Sequence, residues 1–537
     1  MEEFVTDVLV IGSGLAGLLS ALEAEKAGLR VLLVGKFALG MGTNTSLANG
    51  VFTASTSRFS EEDHLQATLE CGKGLNQIGL VKTLVEEGPD AVRKLKDYGV
   101  PVLEKGMGYI LARPEGSSEL PGCLLVKPLV ERLKNSSIQL LPGLAVFDLV
   151  VEDGEARGAF GFLRDGKPCL IGSRAVILSA GGAGAIYRRS DNQRSILGDG
   201  YTLALRAGLP LLDLEFVQFY PLALGEPRLS SFLLYPPYPK EVRLFDERGE
   251  DLLEKLNIGR DLNLAVIDQR DRFSIALYRA CRNGDVFVDL TQVPSEKWER
   301  FPLNFLNKSK FPFHERAFLV CPAAHFFMGG VEIDKNGRTS LPGLFAAGEV
   351  VWGVHGANRL GGNALTECAV FGVIGGRSAA EFVRQKELEQ GASNLFSEGL
   401  LKKWDRKAQA YLRKRRGTFD QPRDLLKDLK ELAWRYASPE REGASLQEGM
   451  DRLAAIEEKI EKVYPAALKD LFKKRDLENV ALLLKAILVG SLARRESRGS
   501  FFREDFPGQD DSNWAKNTCY RLVKGELLVT HTEKANA

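Results

Sequence analysis

Near its start the chain reads DVLVIGSGLAGLLSALEAEKAGLRVLLVG (residues 7–35), which has the order strand, glycine turn, helix, strand. This order predicts a βαβ unit that opens a parallel sheet. Gly12, Gly14 and Gly17 have the GxGxxG spacing, which permits a tight turn and lets a pyrophosphate approach the helix N-terminus. The stretch therefore predicts a Rossmann-like dinucleotide-binding domain.

The residues after the second strand bear on which dinucleotide is bound. A carboxylate at that point usually holds the adenosine ribose of NAD, but this chain has Gly35 and Lys36 there. A flavin dinucleotide held by a modified pattern is therefore favoured over NAD.

Composition limits the classes of partner. The 537 residues are 44% hydrophobic and 27% charged, with a formal net charge of +1. A chain of this length predicts two to four domains, and its balanced charge indicates neither nucleic acid nor a membrane surface as a partner. We expect a small-molecule partner.

The sequence also predicts a cytoplasmic protein with no membrane span of its own. No apolar run approaches the roughly 20 residues that a span needs, and MEEFVTDVLVIG leads directly into a strand. The seven cysteines include no CxxC pair and no metal-ligand spacing. We expect reduced thiols, with no metal site and no iron–sulfur cluster in this chain.

Changes of pattern along the chain predict an α/β fold with additional domains. Residues 138–180 alternate like short strands, with turns at Asp153-Gly154 and Asp165-Gly166, which predicts an inserted β-meander. A stretch rich in Pro, Tyr and Phe then predicts an α+β capping domain, and charged amphipathic stretches predict a C-terminal helical domain. The predicted boundaries are 1–222 and 323–390 for the FAD-binding domain, 223–322 for the capping domain and 391–537 for the helical domain.

Arg359 lies in GVHGANRLGGNA (353–364), a stretch of small residues without a carboxylate. The nearest acidic residues in sequence are Glu349 and Glu367. A guanidinium in such a place needs an anionic partner. Either one of these glutamates or a bound carboxylate would serve.

Four further stretches carry a resemblance to a known family. They are TNTSLANG (43–50), GDGYTLALRAGLPLLDLEFVQFYP (198–221), CPAAHFFMGGV (321–331) and GLFAAGEVVWGVHGANRLGGNALTECAVFG (343–372). Together with the glycine turn and RESRGSFFREDFP near the C-terminus, they resemble the flavoprotein subunits of succinate dehydrogenase and fumarate reductase, and L-aspartate oxidase. The resemblance covers nearly the whole chain, in order.

The resemblance implies an FAD site. Glu349 is similar to the family's acidic residue at the ribityl chain, and Asn363 to Leu365 match a segment whose backbone contacts the isoalloxazine. The predicted cofactor-binding residues are Gly12, Ser13, Gly14, Leu15, Ala16, Gly17, Lys36, Asn44, Thr45, Asn49, Gly50, Gly181, Asp199, Glu349, Asn363 and Leu365.

The resemblance also implies three catalytic residues. Arg359 and His325 match carboxylate-binding groups, and Arg270 matches the arginine that moves a proton at the substrate carbon. For each, a purely structural role is the alternative: a core histidine at His325, and for Arg270 an ion pair with Asp268 or Asp271.

The chain departs from the family at several points around the same pocket. Asn44 replaces the histidine that bonds covalently to FAD, and an amide is not a nucleophile, so we expect non-covalent FAD. Tyr220 replaces a carboxylate-binding histidine; its hydroxyl can donate one hydrogen bond but carries no charge. Phe501 replaces another histidine, and Pro236-Pro237-Tyr238 stand where a Glu-x-x-Arg-Gly proton relay is expected. These departures indicate a changed substrate.

The sequence thus predicts an FAD oxidoreductase that moves a hydride between flavin N5 and a carbon–carbon bond next to a carboxylate, with an altered pocket that includes Tyr220. Two alternatives stay open: an electron-transfer subunit with little dicarboxylate activity, and an L-aspartate oxidase-like enzyme. An iron–sulfur subunit is the expected partner, and such a partner would provide any membrane association.

Overall fold

The structure is a computed structural model. It describes residues 1–115, 117, 119–226, 229, 231–259, 261–299, 302–390, 396–413, 422–464 and 468–533.

Strands and helices alternate through the first half of the chain, and helices dominate the second. The strands are β1 (Glu2–Ile11), β2 (Val31–Gly35), β3 (Val51–Thr53), β4 (Val102–Glu104), β5 (Gly108–Leu111), β6 (Gln139–Pro142), β7 (Leu144–Glu152), β8 (Glu155–Leu163), β9 (Pro168–Leu178), β10 (Leu211–Leu212), β11 (Val217–Leu224), β12 (Arg243–Asp246), β13 (Val286–Asp289), β14 (Phe318–Phe327), β15 (Gly330–Val331), β16 (Leu344–Ala346), β17 (Glu440–Arg441), β18 (Phe502–Arg503), β19 (Lys516–Val523) and β20 (Glu526–Glu533). The helices are α1 (Leu15–Lys26), α2 (Asn44–Leu47), α3 (Glu61–Cys71), α4 (Ile78–Lys94), α5 (Pro121–Lys134), α6 (Asp199–Arg206), α7 (Leu252–Lys255), α8 (Leu262–Asp268), α9 (Arg270–Asn283), α10 (Leu303–Lys308), α11 (Asn363–Gln390), α12 (Glu398–Leu412), α13 (Pro422–Tyr436), α14 (Gly443–Glu461), α15 (Leu468–Ala493) and α16 (Asp511–Trp514).

The central sheet has the strand order β6-β2-β1-β9-β8-β7, with β16 beside β9. Strand β1 pairs in parallel with β2 and β9, as a βαβ opening requires. Val8, Leu9 and Val10 are fully buried although consecutive side chains point to opposite faces, so both faces of this part of the sheet are covered, and α1 and α11 pack against it. The predicted Rossmann-like unit is confirmed.

The predicted β-meander is also present. Strands β7, β8 and β9 pair antiparallel in succession, and the turn between β7 and β8 contains Asp153 and Gly154, both with positive φ. Because β9 also pairs with β1, the meander extends the same sheet and forms no separate layer.

The capping segment has its own antiparallel sheet, in the order β11-β14-β13-β12. Its buried side chains form an apolar cluster separate from that of the central sheet, and this cluster includes Tyr220, Leu222 and Ala323. Strands β11 and β14 therefore run from the FAD-binding segments into the cap. The domain boundaries drawn from the sequence stay predictions.

The C-terminal region contains the helices that the sequence predicted and, in addition, a β-hairpin that it did not predict. Helices α12 to α15 are followed by the hairpin of β19 and β20, which extends the short strand β10. Lys524 and Gly525 both have positive φ, as a two-residue hairpin turn requires. The alternation of apolar and polar residues in KNTCYRLVKGELLVTHTE (516–533) is typical of a hairpin. The charged helical stretches that precede this segment obscured the pattern.

The described part of the chain contains neither a helix suited to cross a membrane nor a cluster of side chains suited to hold a metal ion. No helix there is both long and apolar enough to cross a membrane. No group of three or more His, Cys, Asp or Glu side chains is arranged there to hold a metal ion.

Candidate active site

A cavity of about 520 Å³ lies between the carboxyl edge of the central sheet and the capping segment. The glycine turn, residues 43–50 and residues 347–349 line one part of it, while Tyr235 and Arg270 line the cap side. All of the residues that the sequence assigned to cofactor, substrate or catalysis line this cavity except Gly17 and Asn363.

The glycine turn has no room for side chains. A Cβ on Gly12 would lie 2.2 Å from the Ser179 carbonyl oxygen, and one on Gly17 would lie 2.0 Å from the Gly12 carbonyl oxygen. Gly17 therefore supports the turn from behind and does not line the cavity. The Leu15 amide donates to Thr45 Oγ1 at 3.0 Å, which ties the start of α1 to the 43–50 segment. This bare, narrow turn at a helix start fits the pyrophosphate of a dinucleotide.

Lys36 does not point a free charge into the cavity. Its Nζ lies 3.1 Å from Asp199 Oδ2 and 2.7 Å from Asp476 Oδ1. Burial alone would lower the pKa of Lys36, but the two carboxylates raise it above its ordinary value. Asp199, the first residue of α6, thus places a carboxylate near the end of β2. A simple NAD site would have this carboxylate on β2 itself.

Asn44 belongs to a polar network on the cavity wall. Its amide nitrogen donates to Asn192 Oδ1 at 2.7 Å and to Glu349 Oε2 at 3.3 Å, and its oxygen accepts from the Gln193 amide at 3.1 Å. Glu349 also accepts from the Phe327 amide at 3.2 Å. Burial raises the pKa of Glu349 to about 7, so this carboxyl takes up a proton far more easily than an exposed glutamate.

Arg359 is buried, and it makes no ion pair with any residue that the structure describes. Its Nη2 donates to Gln218 Oε1 at 2.9 Å, and its guanidinium lies 4.6 Å from the centre of the Phe326 ring. Its Nε has no hydrogen-bond partner. Burial and the neighbouring Arg270 lower the pKa of Arg359 to about 10, which still leaves it charged at neutral pH.

The two glutamates that could have neutralised Arg359 are engaged elsewhere. Glu367 lies 3.0 Å from His355 Nε2, in a fully buried pair. Glu349 faces Asn44 and the Phe327 amide. The internal ion pair considered from the sequence does not form.

Arg270 is the first residue of α9 and lines the cavity from the cap. Within the described ranges it forms no ion pair with Asp268 or Asp271, and its buried Nε has no hydrogen-bond partner. Asp271 instead accepts from Asn358 Nδ2 at 2.5 Å. Burial raises the pKa of Asp271 to about 6, which still leaves it mostly ionised at neutral pH.

His325 is held by a carboxylate that the sequence reading did not identify. Its Nδ1 lies 2.8 Å from Asp191 Oδ2, which leaves the other ring nitrogen for a ligand. Burial lowers the pKa of His325 below its ordinary value, and Asp191 opposes that shift. Asp191 therefore fixes the orientation of the His325 ring within the cavity.

Tyr220 lines the cavity, and its hydroxyl is engaged within the cap. Its ring lines the cavity at a centroid distance of 5.7 Å from the His325 ring, but its hydroxyl donates to the Leu234 carbonyl at 3.3 Å. The hydrogen that was expected to bind a second carboxylate is therefore used within the cap. Tyr238 donates to the same carbonyl.

Two other predicted positions lie outside the cavity wall. The Asn363 side chain is buried between Thr68 Oγ1 at 3.0 Å and His64 Nε2 at 2.9 Å, so only its neighbours Ala364 and Leu365 line the cavity. Phe501 is buried in an apolar cluster against Phe216. It leaves no polar group where the family has a histidine.

The sequence reading missed Asp191, Gln218 and Tyr235. Asp191 holds His325, Gln218 holds Arg359, and Tyr235 closes the cavity from the cap. Gln218 lies within the 198–221 stretch and could have been singled out there. Asp191 and Tyr235 had no comparable signal, because the partners that define them are distant in sequence.

Comparisons with known proteins agree with this arrangement. The family described as "FAD binding domain" matches residues 7–365, and the one described as "Fumarate reductase flavoprotein C-term" matches residues 426–533. The chain is 32% identical to one of the subunits of the fumarate reductase (CoM/CoB) from Methanothermobacter marburgensis, over 94% of this chain and 95% of that one.

Other relatives differ in their named activity. The chain is 31% identical to an L-aspartate oxidase from Streptomyces coelicolor, over 98% of this chain and 93% of that one. Its structure resembles that of a variant of the E. coli quinol fumarate reductase flavoprotein, with a TM-score of 0.87 and 25% identity, over 99% of this chain and 97% of that one.

Proposed function

This chain belongs to the succinate dehydrogenase and fumarate reductase flavoprotein family, and on that basis we propose that it transfers a hydride between FAD and a carbon–carbon bond next to a carboxylate. Like its relatives it is an FAD-dependent oxidoreductase acting on CH–CH or CH–NH groups. FAD, when bound, accepts or supplies the hydride at its N5 atom.

One observation carries the proposal. Two guanidinium groups, those of Arg270 and Arg359, line the same cavity and have no carboxylate partner within the part of the chain that the structure describes. Two unpaired cations in a largely enclosed site are costly unless an anion binds between them. A substrate carboxylate is an anion of suitable size and geometry.

Arg359 is suited to hold that carboxylate. Nη2 donates to Gln218, Nη1 donates to the Leu360 carbonyl at 3.3 Å, and Phe326 lies against the face of the guanidinium. The guanidinium is therefore fixed in one plane, with Nε unpaired within the described ranges. A planar guanidinium pairs with both oxygens of a carboxylate, which orients the substrate as well as binding it. Lysine would keep the charge and lose the orientation.

The second polar end of the substrate would lie beside His325, which Asp191 orients. Near it, Tyr220 presents a ring whose hydroxyl hydrogen is already donated within the cap. A second carboxylate would therefore have fewer donors than in a dicarboxylate site. We propose a monocarboxylic enoate or an acyl derivative as the preferred substrate.

Arg270 is our candidate for the group that gives or takes the substrate proton, through one of its terminal Nη atoms. Its guanidinium lines the same cavity as that of Arg359, and its buried Nε has no hydrogen-bond partner among the described residues. A positioned acid or base of this kind contributes roughly 10²- to 10⁴-fold in rate.

The test is reoxidation of the FAD-loaded protein after anaerobic reduction with a viologen dye. We expect monocarboxylic enoates to reoxidise it, fumarate to do so more slowly, and the uncharged amides of the same enoates to be inactive. Oxidation of aspartate by the protein would instead favour the L-aspartate oxidase-like activity.

Variants of one helix make this test specific. Arg270→Ala is expected to lower enoate turnover by roughly 10²- to 10⁴-fold while FAD content is unchanged. Arg272→Ala is the matched control, because Arg272 lies on the same helix but is exposed and donates only to the Asn257 carbonyl. Unaltered turnover by Arg270→Ala would remove it as the proton donor.

A second candidate is an electron-transfer subunit of a larger complex, with an iron–sulfur protein as partner. It is favoured by the relative from Methanothermobacter marburgensis, which is named as one subunit of its enzyme. Purification from the native cell distinguishes the two. If no carboxylate reoxidises the protein and only a co-purified iron–sulfur protein exchanges electrons with it, the second candidate replaces the first.

A further inference from the structure

A second cavity, of about 580 Å³, lies where the cap meets α13 and α14. Its lining is mainly polar and includes Arg189, Trp434 and Glu440. It also includes two cysteines, Cys281 and Cys321, which the active site does not use. No residue of this cavity lines the first one.

The two cysteines come from elements that pack against each other. Cys281 lies near the end of α9 and Cys321 lies in the first half of β14. The Cys281 thiol donates to the carbonyl of Val320 at 3.5 Å, and Val320 immediately precedes Cys321. The sulfur of Cys281 is thus held beside the residue that carries the other thiol.

The surroundings distinguish the two thiols chemically. Contact with Cys281 lowers the pKa of Cys321, and the nearby guanidiniums of Arg189 and Arg188 add to that effect. The same contact, together with burial, raises the pKa of Cys281. Arg189 lines the same cavity as the two cysteines, and a nearby cation favours the thiolate of Cys321, which is the form that an attacking cysteine needs.

We propose that Cys281 and Cys321 are a redox-active pair that small-molecule disulfides convert reversibly into an intramolecular disulfide. The Cys321 thiolate attacks one sulfur of the small disulfide, forms a mixed disulfide and releases one thiolate. Cys281 loses its proton and attacks Cys321 Sγ, which releases the second thiolate. The protein loses two electrons and two protons, and both small-molecule sulfurs leave as thiols.

The location of the pair gives this reaction a consequence for the proposed function. Helix α9 begins at Arg270 and strand β14 contains His325, so the disulfide would tie together the two elements that carry these groups. The tie lies roughly 16 Å along the helix from Arg270, at 1.5 Å per residue. We expect it to change turnover through the spacing of Arg270 and His325, without changing FAD content.

Oxidised glutathione is the probe for the FAD-loaded protein. After treatment, remaining thiols are alkylated and the protein is digested without reductant and analysed by mass spectrometry. We expect the loss of two of the seven thiols, a linked peptide joining Cys281 to Cys321, and recovery of both thiols with dithiothreitol. If both cysteines remain alkylated, or pair with other cysteines, the proposal is overturned, whatever the enoate assay shows.

Three variants assign the roles within the pair. Cys281→Ser is expected to stop at a glutathione adduct on Cys321, and Cys321→Ser is expected to react slowly or not at all at Cys281. Cys123→Ser, which changes a cysteine near α2, should still form the linked peptide. The reverse pattern would overturn Cys321 as the attacking thiol. Unchanged enoate turnover in fully oxidised protein would overturn the link to the active site.

Discussion

At the scale of single residues, the unpaired guanidinium of Arg359 gives the strongest support for a bound carboxylate. Its guanidinium is buried, held by Gln218, and unpaired with any carboxylate among the described residues. A buried arginine can also be satisfied by hydrogen bonds, as Arg441 is, but the Nε of Arg359 has no partner in the described part of the chain. A buried charge that is not fully satisfied is costly. A bound anion would offset this unfavourable free energy.

Replacing Arg359 should therefore separate binding from stability. Arg359→Gln is expected to weaken binding of a carboxylate inhibitor at least about a hundredfold, since two charge-assisted hydrogen bonds are lost. The melting temperature of the ligand-free variant should not fall, because the buried charge goes with the side chain. Calorimetry of inhibitor binding and thermal melts measure the two effects. Unchanged inhibitor affinity would mean that Arg359 does not hold the substrate.

Glu349 leads to a prediction about pH. Burial raises its pKa from 4.5 to about 7, so between these values the folded protein binds a proton that the unfolded chain has lost. The contribution of Glu349 to the free energy of unfolding is therefore largest below pH 4.5 and declines as the pH rises through 7, by roughly 3 kcal/mol at most.

The test compares the FAD-free protein with its Glu349→Gln variant by denaturant unfolding between pH 4.5 and 8. We expect stability to fall more steeply with pH in the parent protein than in the variant. Asp213, whose pKa burial also raises to about 7, titrates in both proteins and cancels in the comparison. Parallel pH profiles would show that Glu349 is not protonated in this range.

At the scale of elements, the turn between β1 and α1 depends on close approach of backbones. A Cβ on Gly17 would lie 2.0 Å from the Gly12 carbonyl oxygen and 2.6 Å from Ser179 Oγ. These atoms belong to the turn and to the end of β9, so neither can move without distorting the cofactor cradle. Adding one methyl group at Gly17 therefore tests whether this turn is needed to bind the dinucleotide.

We expect Gly17→Ala to be purified with little or no FAD and to be destabilised by more than the roughly 1–3 kcal/mol of ordinary overpacking. Gly508→Ala is the matched control, because a Cβ there would meet nothing within 4 Å. Absorbance of bound flavin and thermal melts report both effects. Full FAD content in Gly17→Ala would show that the turn can open without losing the cofactor.

At the scale of the whole molecule, the attachment of FAD follows from how distant segments meet. Asn44 is held between Asn192, Gln193 and Glu349, and an amide cannot form the covalent bond of the family's histidine. Acid precipitation should therefore leave all the flavin in the supernatant. A yellow precipitate that keeps its colour after washing would contradict non-covalent binding.

Most features with a local sequence signal were predicted correctly, whereas contacts between distant segments were not. The βαβ opening and the meander turns followed from contiguous motifs, whereas the placement of Arg270, His325 and Arg359 in one site followed from the resemblance to the family. The C-terminal hairpin was missed, although its alternation and its Lys524-Gly525 turn were local signals. The sequence could not show that the hydroxyl of Tyr220 donates to the Leu234 carbonyl, because that carbonyl comes from the cap.

Residue order alone was enough to establish a Rossmann-like fold, an FAD site and cationic groups suited to an anion, because glycine spacing and residue type act over short distances. Which of the charges are neutralised depended on tertiary packing. In the folded chain Lys36 pairs with Asp199 and Asp476, and His325 contacts Asp191. Arg359 has no carboxylate partner among the described residues. These pairings join residues far apart in sequence, and burial, which sets their cost, exists only once the domains have packed.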